Sequence, residues 1–230
     1  GLFITFEGGE GSGKTTQIAL LSKYLVSQSH KVFVTREPGG SIGAESIRNL
    51  LVTGNVERWD PETEALLMYA ARRDNYVRII RPNLKDGKIV ISDRFSDSTK
   101  VYQGIVGGVE IEKINSLNNF CLDKFQPDLT FILDIDVKIG LSRANSRKGN
   151  ENRFESKGAD FHNLVRDAYL ELASENKERM HVIDASKTIS DINCDINLKR
   201  LDQGAKSIQI TLNVKVNSKK ELLDLSLIHI

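Results

Sequence analysis

Short apolar runs recur along the chain, separated by stretches in which apolar residues return every three or four positions. LFITF (2–6), KVFVT (31–35), KIVIS (88–92), DLTFILDI (128–135) and HVIDA (181–185) are rich in β-branched and aromatic residues. Each has strand length, and several lack strict alternation, as strands covered on both faces do. Between them, TTQIALLSKYLVSQ (15–28), AESIRNLLV (44–52) and DPETEALLMYAARRDNYVRIIRP (60–82) carry helical patterns. In the last, Asp60 suits the N-cap, Pro61 the first turn, and Glu62 and Glu64 the positive helix end. Pro82 ends or kinks it. Strands alternating with helices predict an α/β fold with right-handed βαβ crossovers and a parallel sheet. Ligands of such sheets bind at the carboxyl ends of the strands. The polar clusters GGEGSGKTT, REPGG and DR follow the first three strands directly.

Composition narrows the partners. The chain has 230 residues, enough for one domain with an appendage, and a net charge of +1. So balanced a charge argues against a nucleic acid polymer as partner. No run approaches the about 18 apolar residues of a membrane helix. Two cysteines, Cys121 and Cys194, argue for a reducing, cytoplasmic setting and against a disulfide framework or a zinc site. No signal peptide is visible. The chain opens at Gly1 without an initiator Met and enters a strand-like run at Leu2, so one or more residues are expected ahead of it.

The segment Gly8-Gly9-Glu10-Gly11-Ser12-Gly13-Lys14-Thr15 matches G-x-x-x-x-G-K-[ST], with the strand before it and the helix after it that the motif requires. Glycines let backbone N–H groups curl around phosphate oxygens, and the helix that follows points its positive end at them. Gly8 to Thr16 is therefore the expected site for a nucleoside triphosphate. Lys14 is expected to reach the β- and γ-phosphates, and Thr15 to hold Mg²⁺. The N-K-x-D motif of guanine-reading switches and the L-S-G-G-Q signature of transport ATPases are both absent. A kinase of small molecules also needs a second anion site and mobile cations for the transferring phosphoryl group.

Three clusters supply such parts. Arg36 leaves the second strand in TREPGG, Arg94 leaves the third in DRFSDSTKVYQG, and Met68 and Arg72 lie four residues apart in LLMYAAR. With PDLTFILD, these segments resemble thymidylate kinase from about residue 2 to residue 198. The resemblance implies a P-loop NTPase fold, a three-layer α/β/α with five parallel strands ordered 2-3-1-4-5. It also implies Mg²⁺-dependent transfer of the γ-phosphoryl of ATP to dTMP, and a homodimer packed through helices. Position by position, it puts Arg94 and Arg36 on the dTMP phosphate, Arg72 on a thymine carbonyl, and Thr99 and Gln103 beside the base. Tyr102 lies under the deoxyribose, Pro38 shapes the pocket, and Glu10 approaches the acceptor sugar and the metal. Met68 stands where relatives usually stack a phenylalanine on thymine. That departure leaves open another nucleotide or deoxynucleoside kinase; a degenerate NTP-binding module is the alternative from outside enzymes.

A lid is expected at about 142–155, polar and rich in arginine. In this family a catalytic arginine sits in the phosphate loop or in the lid. Gly11 occupies the loop position, so the resemblance implies the lid-arginine subtype. Arg147 and Arg153 are then the catalytic candidates, with Arg143 third, at the ATP side. The family pattern ends near Leu198. Residues 199–230 form an atypical tail in which Ile208, Ile210, Leu212, Val214 and Val216 alternate with polar residues, as in a half-buried strand.

Overall fold

The computed structural model describes residues 1–145, 153–154 and 157–198. Five strands, β1 (Leu2–Glu7), β2 (Val32–Arg36), β3 (Ile89–Asp93), β4 (Leu129–Asp134) and β5 (Met180–Asp184), pair in parallel in the order β2-β3-β1-β4-β5. Every residue of β1 is buried, because it lies between β3 and β4 with helices on both faces. Leu2, Ile4 and Phe6 face α1 (Lys14–Ser27) and α9 (Ile189–Leu198). Phe3 faces the opposite layer, in a cluster with Ala65 and Tyr69 of α3 (Pro61–Asn75) and Ile114 of α6 (Ile111–Leu122). Val165, Ala168 and Tyr169 of α8 (Ala159–Glu175) extend that layer over β4. Burying a side chain such as Ile4 or Phe6 contributes about 1.5–3 kcal/mol. The mid-strand threonines Thr5 and Thr130 are hydrogen-bonded to each other at 2.8 Å, so neither hydroxyl is left unpaired in the core.

The strands lie within one or two residues of the positions read from the sequence, and three helices, α6, α8 and α9, lie outside the elements read there. The Asp60 side chain accepts from Thr63 N, and Ser41 caps α2 (Ile42–Val52) by accepting from Ala44 N. Pro82 kinks the long helix rather than ending it. A π-helical turn, Tyr76–Ile80, joins α3 to α4 (Arg81–Lys85), and Arg81 N donates to Tyr76 O across the wider ring. A second π-helical turn, Lys100–Ile105, continues α5 (Ser96–Thr99) and turns Tyr102 and Gln103 inward. The last helix before the lid, α7 (Val137–Asn145), starts on Asp136, whose carboxylate accepts from Lys138 N and Ile139 N. The expected strand at 208–216 lies outside the described residues.

Candidate active site

The phosphate loop leaves β1 and enters α1 through Gly13, whose φ of 92° is left-handed and suits glycine. Gly11 has φ 67°, and a Cβ there would fall 1.9 Å from Gly140 O of α7. The reverse contact is as close: a Cβ on Gly140 would meet Glu10 O at 2.5 Å. The loop thus packs backbone to backbone on the helix that leads into the lid, and no side chain fits at position 11.

Lys14 is folded back on its own loop, donating to Gly8 O at 3.1 Å, Gly9 O at 2.9 Å and Ser12 Oγ at 3.4 Å. Burial and the neighbouring Arg94 push its ammonium down to a pKa of about 8, against partial support from Glu10, Asp93 and Glu7. A phosphate reaching this loop would take over the carbonyls' role and restore the charge. Thr15 Oγ1 donates to Asp93 Oδ2 at 3.1 Å, which brings the loop threonine to the carboxyl end of β3. This pair suits Mg²⁺, which takes one or two protein oxygens and completes its octahedron with phosphates and water. Among the described residues no cluster of three or more His, Cys, Asp or Glu offers a metal a protein-only cage.

Arg94 is the hub. Its φ of 69° is rare for a non-glycine residue, and its side chain lines the cavity that opens at the sheet edge. Nη2 donates to Glu10 Oε1 at 2.7 Å and Tyr102 Oη at 3.3 Å, while Nη1 donates to Ser98 Oγ at 3.2 Å and Tyr169 Oη at 3.1 Å. Glu10, despite its burial, is held below the usual carboxylate range by Arg94 and Lys14. Glu10 Oε1 faces the arginine, and the carboxylate hydrogen-bonded to Thr15 is that of Asp93.

A cavity of about 680 Å³ joins both halves of the site. Glu10, Gly11, Ser12, Gly13, Lys14 and Thr15 line one part of it; Arg36, Pro38, Met68, Arg72, Arg94, Thr99, Tyr102 and Gln103 line the rest. Within it Arg72 is fixed by Glu37 Oε2 at 2.7 Å, Phe95 O at 3.1 Å and Thr99 Oγ1 at 3.0 Å. Its Nη1 is buried with no hydrogen-bond partner among the described residues. A buried orphan donor in a cavity wall is an incomplete site, because leaving it unpaired is costly. Arg36 pairs with Glu45 at 2.9 Å and is half exposed. Gly8 and Gly9 lie behind the cavity, against the β4 end, and Thr16 faces solvent on the first turn of α1.

The lid arginines separate. Arg143, on α7, donates to Ala185 O at 3.4 Å beyond β5. Arg147 lies outside the described residues. Arg153, the other catalytic candidate of the expected lid, is turned inward. It is 1 % exposed and donates to the carbonyls of Leu51, Asn55 and Val56 and to Glu64, whose other oxygen accepts from Gln103 Nε2 at 3.0 Å. Four of its five N–H donors tie it to α2, α3 and the segment between them. Its neighbour Phe154 lines the cavity and meets the Tyr102 ring edge-on at 6.0 Å.

A triphosphate cradle and a buried arginine set sharing one cavity define a phosphotransferase of the P-loop class. The thymidylate kinase family model matches residues 6–196. The thymidylate kinase of Caulobacter vibrioides is 51 % identical over 197 residues, 86 % of this chain and 94 % of that protein. Those of Ruegeria pomeroyi and Afipia carboxidovorans are 45 % and 48 % identical, over 85 % and 81 % of this chain and 92 % and 82 % of theirs. The crystal structure of thymidylate kinase from Ehrlichia chaffeensis superposes with a TM-score of 0.68 at 38 % identity, covering 85 % of this chain and 95 % of that one. The chain belongs to the thymidylate kinase family.

Sequence reasoning did not give Asp93, Glu37, Phe154 or Glu7 a role. Asp93 stood in the quoted DRF cluster at a strand end, so its signal was present. Glu37 and Phe154 carry none on their own, because their partners Arg72 and Tyr102 are distant in sequence.

Proposed function

We propose that the chain transfers the γ-phosphoryl group of ATP to dTMP, giving dTDP. The observation that carries this reading is the single cavity lined by both Lys14 and Arg72, an arginine whose Nη1 is buried without a hydrogen-bond partner among the described residues. The loop N–H groups and the α1 N-terminus receive the donor phosphates. Arg94, with Arg36 at the rim, receives the acceptor phosphate. Arg72 Nη1 donates to a thymine carbonyl, Met68 covers a ring face, Thr99 and Gln103 bound the base, and Pro38 closes the wall. Tyr102, pinned between Glu10 and Arg94, leaves no freedom for a 2′-hydroxyl. Thr15 and Asp93 would hold Mg²⁺, which supplies charge neutralisation at the phosphate oxygens when bound. Arg147, Arg153 and Arg143 are the arginines that the lid reading offers the transferring group, of which Arg153 is tied to α2 and α3 in the nucleotide-free chain.

Exposed apolar residues on three neighbouring helices, Ile42 and Leu50 on α2, Leu66 on α3 and Phe120 on α6, support a homodimer packed through helices. Free cysteines Cys121 and Cys194 fit a cytoplasmic protein. No helix among the described residues is long and apolar enough to cross a membrane. Residues 199–230 are dispensable for catalysis in this reading; a chain stopped after Arg200 that folds without turnover would refute that.

The deciding assay supplies ATP and Mg²⁺ with each nucleoside monophosphate in turn and measures ADP. Turnover with dTMP and little with UMP, CMP or AMP is expected. Equal turnover with UMP would overturn the role of Tyr102, and use of thymidine but not dTMP would overturn that of Arg94.

A further inference from the structure

Glu7 is the last residue of β1, is fully buried, and does not line the cavity. It is nonetheless linked to the arginine that does. Its Oε1 accepts from Phe95 N at 2.8 Å. Its Oε2 accepts from Ser98 Oγ at 2.5 Å and from Tyr169 Oη at 2.9 Å. Those same two hydroxyl oxygens receive Arg94 Nη1, at 3.2 and 3.1 Å.

A hydroxyl has one proton and two lone pairs. If Ser98 and Tyr169 each give that proton to Glu7, both must present lone pairs to the guanidinium. The carboxylate therefore fixes the direction of two hydroxyls, and the hydroxyls fix one end of Arg94. Glu7, Ser98 and Tyr169 come from β1, α5 and α8, so the arrangement is imposed by the fold and not by a local turn. Resting on the assignment of Arg94 to the acceptor phosphate, we propose that Glu7 is a positioning residue that sets the orientation of Arg94 through Ser98 and Tyr169.

Glutamine at this position has the same shape and cannot do the same work. If its carbonyl serves Phe95 N, its amide donates to the hydroxyls and turns their protons toward Arg94. If flipped, two donors oppose each other at Phe95. That clash disfavours the flip, although the flip would leave the hydroxyls their acceptor; in the favoured arrangement Arg94 loses a partner.

The test compares wild type, Glu7→Gln, the Ser98→Ala/Tyr169→Phe double variant, and all three changes together. It uses ATP and whichever monophosphate the wild type accepts best. That choice separates failure of the dTMP reading, seen in the wild type alone, from failure of this proposal. Glu7→Gln is expected to lower kcat/KM for the acceptor about tenfold or more, with KM for ATP changed less than twofold. In the Ser98→Ala/Tyr169→Phe background, Glu7→Gln is expected to add less than twofold, because the hydroxyls through which it acts are gone. Equal losses toward both substrates, or effects that multiply in the combined variant, would overturn the proposal. Should Glu7→Gln not fold by circular dichroism, the hydroxyl double variant decides alone. A selective loss of about fivefold or more toward the acceptor upholds the proposal, and a smaller or unselective loss overturns it.

Discussion

Arg72 and Glu37 are joined by a 2.7 Å charged hydrogen bond with both side chains almost wholly out of solvent. Burial raises the Glu37 carboxyl pKa, and Arg72 opposes the rise. Removing one partner of such a pair typically costs about 3–5 kcal/mol. Glu37→Ala is thus expected to lower the unfolding midpoint in urea strongly. Arg72→Lys keeps the charge but loses the planar fork that spans Glu37, Thr99 and Phe95. It is expected to keep most of the stability while KM for dTMP rises about tenfold and discrimination among bases weakens. Unchanged kinetics in Arg72→Lys would remove the base-reading role.

Lys14 and Arg94 serve opposite ends of one cavity, so their losses should read differently. Lys14→Ala is expected to cut kcat by about 10²–10³, the usual cost of one preorganised electrostatic donor. Arg94→Ala is expected to fall mainly on KM for dTMP. Steady-state kinetics with each substrate varied in turn separates the two. Wild-type behaviour in both variants would refute the assignments.

Glu7 and Lys14 make the nucleotide-free protein's stability depend on pH in opposite windows. Burial, with Asp97 nearby, pushes Glu7 from an ordinary 4.5 up to about 7. Its contribution is fully present below pH 4.5 and is lost as pH rises through 7, a change on the order of 3 kcal/mol. Lys14 is lowered from 10.5 to about 8, so the strain of its buried charge persists below pH 8 and is relieved between 8 and 10.5. Urea titrations of wild type minus Glu7→Gln should show stability falling between pH 4.5 and 7. A flat difference would contradict the burial argument.

Arg153 and Arg147 lie six residues apart in sequence and should separate by observable. Arg153→Ala strands Glu64 and frees three carbonyls, so a fall in Tm is expected along with weakened dTMP use. Arg147→Ala is expected to lower kcat with Tm unchanged. Differential scanning calorimetry beside kinetics distinguishes them, and a stable, inactive Arg153→Ala would return that arginine to the catalytic group.

What the sequence carried well was local. The strand order follows from alternating elements once the family is seen, and the glycine loop announces itself within eight residues. The kink at Pro82 was legible, whereas the π-helical turns at Tyr76–Ile80 and Lys100–Ile105 were not, since no residue type demands them. The burial of Arg153 was not legible, because a charge in a polar segment suggests solvent. Its burial depends on Glu64, 89 positions away. Glu7 was silent for the same reason, its hydroxyl partners lying 91 and 162 positions away.

The contact between Gly11 and Gly140 bears on how such an enzyme can change over time. Gly11→Arg alone would drive a side chain into the backbone of α7 and dislodge the helix that carries Arg143. If the catalytic arginine is borne by the lid, as proposed, the route to a loop-borne one is therefore closed to single substitutions in this chain. A lineage must first loosen α7 from the loop and accept a less rigid phosphate cradle, or stay where it is. In that reading the address of the catalytic charge is set by a steric fit between two backbones.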